Sequence, residues 1–265
     1  MMYDSSDLTE LLALALGAVR AGARLALDPG QALRIETKRN RNDVVTQVDR
    51  AVEALIARRL APTGYPLVGE EGHTADGWAG RVWVLDPIDG TLNYIAVHRH
   101  WAISLALVED GRPVAGVVAD PVDDRVYTAV VGAGARVRRL FVESDAGAEL
   151  ARVADVPLAE GIVIAHLHGL EEVPRLARII GGTRGLRCYG AAALEMVEAA
   201  AGRAGAVVHT GLQPWDVAAG ALLCAETGVV LTRLSGEELD VREPGSLLAG
   251  TPSAHAEMLR RLAGA

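Results

Sequence analysis

The sequence predicts a layered α/β fold, and three observations carry that prediction. Apolar residues recur at helical spacing near the N-terminus, and short apolar and β-branched runs crowd the stretch from Leu67 to about Val131. Past about residue 160, strand-like and helix-like segments alternate without forming a strict βαβ repeat. With 265 residues, 50% of them hydrophobic, the chain can bury a substantial core, which excludes a disordered protein.

The first expected helix carries Leu8, Leu11, Leu12, Ala15, Leu16 and Val19 on one face, with Asp7 and Glu10 spaced as a capping box and Asp28-Pro29-Gly30 as its stop. A second, around Val48, Val52, Leu55, Ile56 and Leu60, follows Asp49 and ends before Pro62. Strands are expected at Pro66–Val68, Val82–Leu85, Ile103–Val108, Val114–Val118 and Val126–Val131, with Asp110-Gly111 as a hairpin signal. In the second half, strands are expected at Gly161–Ala165, Ala206–His209, Val229–Leu234 and Ser246–Gly250. Helices are expected at Leu170–Ile180, Ala191–Ala201, Trp215–Thr227 and Ala254–Leu262. No linker divides the chain, so 1–265 is expected to be one domain, with an α+β half over about 1–135 and an α/β half over about 136–265.

Net charge is −8, so there is no basic footprint for sequence-independent nucleic-acid binding. No apolar stretch reaches the ~20 residues of a membrane span. The leucine-rich N-terminal run follows Asp4, Asp7 and Glu10 where a signal peptide would be basic. Cys188 and Cys224 match no paired-thiolate spacing and read as reduced core residues of a cytoplasmic protein.

Acidic residues supply the chemistry. Glu70-Glu71 sits between glycines directly after an expected strand, and Asp86 and Asp89 flank Pro87-Ile88 at the end of another. Asp216 follows Pro214 at an expected helix start, where it could simply serve the free N–H groups. A carboxylate pair beside a buried strand repels unless a cation or a donor neutralises it. Oxygen donors without His or Cys suit Mg²⁺ or Mn²⁺, and a pair of such ions can clamp the attacking and leaving oxygens of a phosphoryl displacement. A tight Asp86-Pro-Ile-Asp-Gly90 turn would supply side chains and a backbone carbonyl; it lacks the alternating ligand positions of a calcium loop.

Glu70-Glu71, the segment Asp86-Pro87-Ile88-Asp89-Gly90-Thr91-Leu92-Asn93-Tyr94, and Trp215-Asp216-Val217-Ala218-Ala219-Gly220 together resemble the signatures of the inositol monophosphatase family of Mg²⁺-dependent, lithium-sensitive phosphatases. The similarity runs from Lys38 to the last strand. The resemblance implies an alternating α-β-α-β-α sandwich shared with fructose-1,6-bisphosphatase, a homodimer, and two or three Mg²⁺ ions with Mn²⁺ as a substitute. It implies that Glu70, Asp86 and the Ile88 carbonyl hold one ion and Asp86, Asp89 and Asp216 a second, with a weaker third near Glu70. Asp49 would pair with Thr91 to orient the attacking water, and Lys38 would stand near the site; a helix cap and a surface lysine are their plain alternatives. Gly90 and Thr91 N–H groups would hold phosphate.

Gly190, Ala191 and Ala192 match the small residues beside the substrate, whereas His209 stands where inositol-hydrolysing members carry a glutamate. His209 would either read another alcohol or be a strand histidine with a local partner. Residues 136–160 show little of the family pattern. His98, Arg99, His100, His166 and His168 lack a metal-site pattern and read as structural or peripheral. The expected activity is hydrolysis of inositol 1-phosphate, with histidinol phosphate, fructose 1,6-bisphosphate or a 3′-phosphonucleotide as alternative substrates and a non-catalytic regulatory binding protein as an alternative of another class.

Overall fold

Helix α1 (Ser5–Leu27) buries Leu8, Leu11, Ala15, Leu16 and Val19 along one stripe. The computed structural model describes residues 5–30, 32–37 and 44–264. Asp7 lies inside α1, not at its cap, and pairs instead with Arg81. Two strands of three residues, β1 (Ile35–Thr37) and β2 (Val44–Thr46), form an antiparallel pair that the sequence pattern did not announce, because so short a run shows no period. Thr46 then caps α2 (Gln47–Leu60), with Asp49 as the third helical residue completing the capping box.

The first sheet takes its strands in chain order: β3 (Leu67–Gly69), β4 (Arg81–Asp89), β5 (Ala102–Glu109), β6 (Arg112–Asp120), β7 (Arg125–Val130), β8 (Gly134–Arg139) and β9 (Ala148–Leu150). Only β3 and β4 pair in parallel. Glu109 faces Arg112 across a two-residue turn in which Asp110 and Gly111 both have positive φ (49° and 84°), the mirror-image turn that suits the twist of a hairpin. Strands β8 and β9 carry the sheet past residue 135. The pattern does not announce them, because β8 has only Ala135 and Val137 as apolar residues among its arginines and β9 has three residues, too few for a period.

Alternation along β5 sorts the core. Ile103, Leu105 and Leu107 pack with Trp83 and Leu85 against α1 and α2, while Ala102, Ala106 and Val108 pack with Val84 on the opposite face.

The second half begins with β10 (Ile162–Ala165), α3 (Leu167–Glu172) and α4 (Pro174–Ile180). One helix was expected over Leu170–Ile180; Pro174, lacking an N–H, starts a new one. Next come β11 (Gly185–Arg187), α5 (Ala192–Ala200), β12 (Ala206–Leu212), α6 (Pro214–Thr227), β13 (Val230–Thr232), β14 (Gly245–Gly250) and α7 (Pro252–Ala263). The sheet order is β11-β10-β12-β14-β13. Residues of α5 and α6 pack in one apolar cluster with both sheets, and residues of α4 and α7 cover the outer face of the second. Layers therefore alternate: α1 and α2, first sheet, α5 and α6, second sheet, outer helices.

Close approach of α6 to the first sheet depends on Gly116, where a Cβ would sit 3.2 Å from the Ala219 carbonyl oxygen. Gly116→Val is expected to lever α6 off the sheet and cost about 1–3 kcal/mol, an overpacking penalty visible as a lowered urea midpoint. An unchanged midpoint would mean that this layer contact is not tight.

Candidate active site

A regular strand turns residues i and i+3 to opposite faces, yet Asp86 and Asp89 line one cleft. The reason is a bulge. Asp86 pairs with Ser104 and Asp89 with Ala102, so three steps along β4 match two along β5. The extra residue returns both carboxylates to the same side, and Asp86 Oδ1 accepts the Ile88 N–H at 3.0 Å. The expected tight turn is thus a bulged strand end, and the chain reverses only at Gly90 (φ 86°). Gly90 has no room for a side chain: a Cβ would meet the Gly190 carbonyl oxygen at 2.9 Å.

The cleft, of about 210 Å³, is lined by Glu70, Asp86, Ile88, Asp89, Gly90, Thr91, Gly190 and Asp216, with Val44 and Leu92. Helix starts and strand ends supply these groups. Asp89 takes the N–H groups of Ala192 (3.1 Å) and Ala193 (2.7 Å), capping α5 from across the chain, where Ala191 cannot. Asp216 sits in the first turn of α6 and accepts the Gln213 N–H at 2.8 Å. Helix dipoles favour both anions.

Asp49 proves to be both a cap and a site residue. Its Oδ2 accepts from Thr46 N (3.0 Å) and Thr46 Oγ1 (2.5 Å), while Oδ1 lies 3.1 Å from Thr91 Oγ1. Thr91 Oγ1 is also 3.2 Å from the Ile88 carbonyl, leaving the hydroxyl two acceptors to choose between. Lys38 falls outside the described residues.

Burial, reinforced by the carboxylates of Glu70, Asp89, Asp216 and Asp49, pushes the Asp86 carboxyl well above the ordinary range. Asp89 is raised likewise, by burial and then by Asp216, against the pull of the Ala193 and Ala192 N–H groups. Asp216 is pushed up to about 6 by burial. Asp49 is raised by burial in spite of its Thr46 bonds. Such crowding of oxygen donors fits a divalent cation: Glu70, Asp86, Asp89, Asp216 and the Ile88 carbonyl would hold it.

Around Gly190 the structure corrects one expectation. His209 does not line the cleft; it is 7% exposed, with Nε2 2.8 Å from Glu195 Oε2, an ion-pair distance at an angle poor for hydrogen bonding. Glu195, overlooked in the sequence because it stands alone in an alanine-rich helix, is fully buried. Its Oε1 accepts the N–H groups of Tyr189 (2.7 Å) and Gly190 (2.9 Å), and its Oε2 lies 3.0 Å from His166 Nε2. Burial opposes ionisation here, but both histidines hold the Glu195 carboxyl well below the carboxylate range, and the His166 pKa rises in return.

His166 is therefore no bystander. Asn93 ties the same segment to the Thr91 side, its Nδ2 reaching the Tyr189 (2.6 Å) and His100 (2.7 Å) carbonyls. Cys188 is exposed, not core, with Sγ 3.7 Å from His166 Nδ1, whereas Cys224 is buried as expected. His166, Cys188 and Glu195 cluster closely, but Glu195 is saturated with donors, which leaves too few ligands for a structural zinc site.

Four carboxylates gathered from three segments, beside a threonine hydroxyl held by a buried aspartate, define a cation-assisted phosphate-ester hydrolase. The chain belongs to the inositol monophosphatase family, whose sequence model matches residues 7–264; metal binding is general to that family. It is 37% identical over 244 residues to the inositol-1-monophosphatase of Bacillus subtilis, covering 89% of each chain. It is 34% identical over 261 residues to the Nus factor SuhB of Pseudomonas aeruginosa, covering 94% of each. Among solved structures, the inositol monophosphate-bound SaIMPase-II superposes with a TM-score of 0.81 at 32% identity, covering 95% of this chain and 92% of that one. No helix among the described residues is long and apolar enough to cross a membrane.

The raised carboxyls set a pH signature. Without metal, the folded state holds protons that the unfolded state releases above its ordinary carboxyl pKa, so these groups lose stability as pH rises from that ordinary range through the raised folded values, about 6 for Asp216. In chelator, their contribution to the melting temperature should fall as pH rises from about 4 through about 6, the Asp216 value, and Mg²⁺ should stabilise progressively more over that range while releasing protons. Calorimetry in two buffers of different ionisation enthalpy checks this; Mg²⁺ binding with no proton release and no pH dependence would contradict it.

Proposed function

We propose that this protein hydrolyses a small cyclitol or sugar phosphate monoester, with inositol 1-phosphate as the foremost substrate. The observation that carries the reading is the convergence of Glu70, Asp86, Asp89 and Asp216 beside Thr91 hydrogen-bonded to Asp49. The names of the Bacillus relative and of the inositol monophosphate-bound structure support the substrate. Mg²⁺, as two or three ions and with Mn²⁺ as a substitute, would supply positive charge against the phosphate oxygens and make water acidic enough to attack near neutral pH.

The chain's own residues do the rest. Thr91, steered by Asp49 Oδ1 and the Ile88 carbonyl, orients the attacking water in line with phosphorus, and buried Asp49 can accept a proton through that hydroxyl. Gly90 and Thr91 N–H groups bind phosphate oxygens. Asp89 and Asp216 set the leaving-group side. Since Asp89 and Thr91 come from the first half and Gly190 and Asp216 from the second, residues 1–265 act as one catalytic unit, which we further expect to be a lithium-sensitive homodimer. A regulatory reading draws on the name of the Pseudomonas relative; the complete set of acidic ligands favours catalysis.

Asp89→Asn removes a charge from the cleft and presents an amide to the α5 N–H groups. Phosphate release from inositol 1-phosphate should fall by ~10²-fold or more, the scale of one strong transition-state contact. Mg²⁺ should raise the melting temperature of this variant less than that of the parent. Equal turnover by parent and variant, or no release by the parent from any cyclitol, sugar, histidinol or nucleotide phosphate, would remove the assignment.

A further inference from the structure

Glu53 is 2% exposed and lies one helical turn beyond Asp49 on α2, yet it is not among the residues that line the carboxylate cleft. Among the described residues, its hydrogen-bond partners lie in the loop that carries Glu70. Oε2 accepts the Glu71 N–H at 2.8 Å; Oε1 accepts the His73 N–H at 3.2 Å and lies 2.7 Å from His73 Nδ1. The loop is pinned on its other sides by Gly69 N–H to the His73 carbonyl (2.8 Å) and Glu70 N–H to the Leu85 carbonyl (3.3 Å). Gly69 makes the space: a Cβ there would fall 2.4 Å from Glu53 Oε2. The buried carboxylate thus fills the position that a side chain at residue 69 would take.

We propose that Glu53 is a positioning residue, which fixes the Glu70 loop so that the Glu70 carboxylate meets those of Asp86 and Asp216; this rests on the cation-dependent reading of the cleft. Helix α2 then serves both flanks of the site from one rigid element. Asp49 holds Thr91, and Glu53, four residues on, holds the backbone around Glu70. A carboxylate is required because each oxygen faces a backbone N–H. A glutamine would turn its own N–H against one of them.

The test measures Mn²⁺ binding by electron paramagnetic resonance to the parent, Glu53→Gln, Glu53→Asp and Gly69→Ala, with metal-free melting temperatures alongside. Removal of a group that orients a ligand costs ~10–100-fold in metal affinity. Glu53→Gln is expected to weaken Mn²⁺ binding on that scale and to raise the Mg²⁺ concentration for half-maximal phosphatase activity in step, while turnover at saturating Mg²⁺ changes little. Gly69→Ala should weaken binding in the same direction by displacing the carboxylate, and Glu53→Asp, which keeps the charge, should lose less.

Parent-like Mn²⁺ affinity in Glu53→Gln, whatever its melting temperature, would reduce Glu53 to a structural residue and overturn the proposal. Should Glu53→Gln fail to fold, Gly69→Ala decides by the same criterion. A parent that binds no Mn²⁺ would instead remove the cation-dependent reading, and the proposal with it.

Discussion

Crowding of like charge is the constraint on which this fold turns. Asp86 and Asp89 are almost fully buried beside Asp216, with Glu70 close enough to oppose the ionisation of Asp86. An apolar interior would expel such a group or protonate it. Here it is kept by aiming donors at it: helix α5 directs the N–H groups of Ala192 and Ala193 at Asp89, and the start of α6 directs that of Gln213 at Asp216. These donors lower the cost without cancelling the charge. The cluster is left with an appetite for cations, and that imbalance is what a metal-dependent site requires.

Backbone geometry enforces the crowding. Without the bulge between Asp86 and Asp89, one carboxylate would face α1 and α2 and the other the cleft. Gly90 then lets the chain reverse hard against Gly190, so that the helical turn beginning at Thr91 presents its hydroxyl to Asp49. The α5 cap by Asp89 also fastens the halves together. A carboxylate of the cleft is therefore also a tie across the fold, and Asp49, at once helix cap and partner of Thr91, repeats the pattern.

Much of this was legible in the sequence wherever a pattern is both local and long. The α1 stripe, the β5 and β6 alternation with Asp110-Gly111 between them, and α6 after Pro214 all show their period within one segment. The acidic segments stood out for the opposite reason, since charge at the end of an apolar run is locally incongruous. What could not be read is what depends on distant partners. Strands β1, β2, β9 and β11 have three residues each, too few for a period, and β8 is masked by arginines. Glu53 and Glu195 look like ordinary helix residues, because the backbone N–H groups they serve lie in other segments. Only the i, i+4 spacing of Asp49 and Glu53 hinted that α2 presents two carboxylates to one side.

The two ends of the site are built on different principles, which explains why reaction class is plainer than substrate. Around Asp86, Asp89, Gly90 and Thr91, nearly consecutive residues supply the groups and a short motif announces them. Around Gly190, Glu195 draws together Tyr189, Gly190, His166 and His209, residues spread over three segments. Both of its oxygens are engaged, so it holds the wall in place and has little capacity to bind a hydroxyl. His209 lies behind that wall, and His166 is its more exposed member, with a third of its side chain open. An exchange at 209 would thus act first on Glu195, and through it on the Tyr189-Gly190 backbone that borders the cleft. The buried Glu195 cluster thus sets the position of a backbone segment beside the cleft, a property that no single aligned residue expresses.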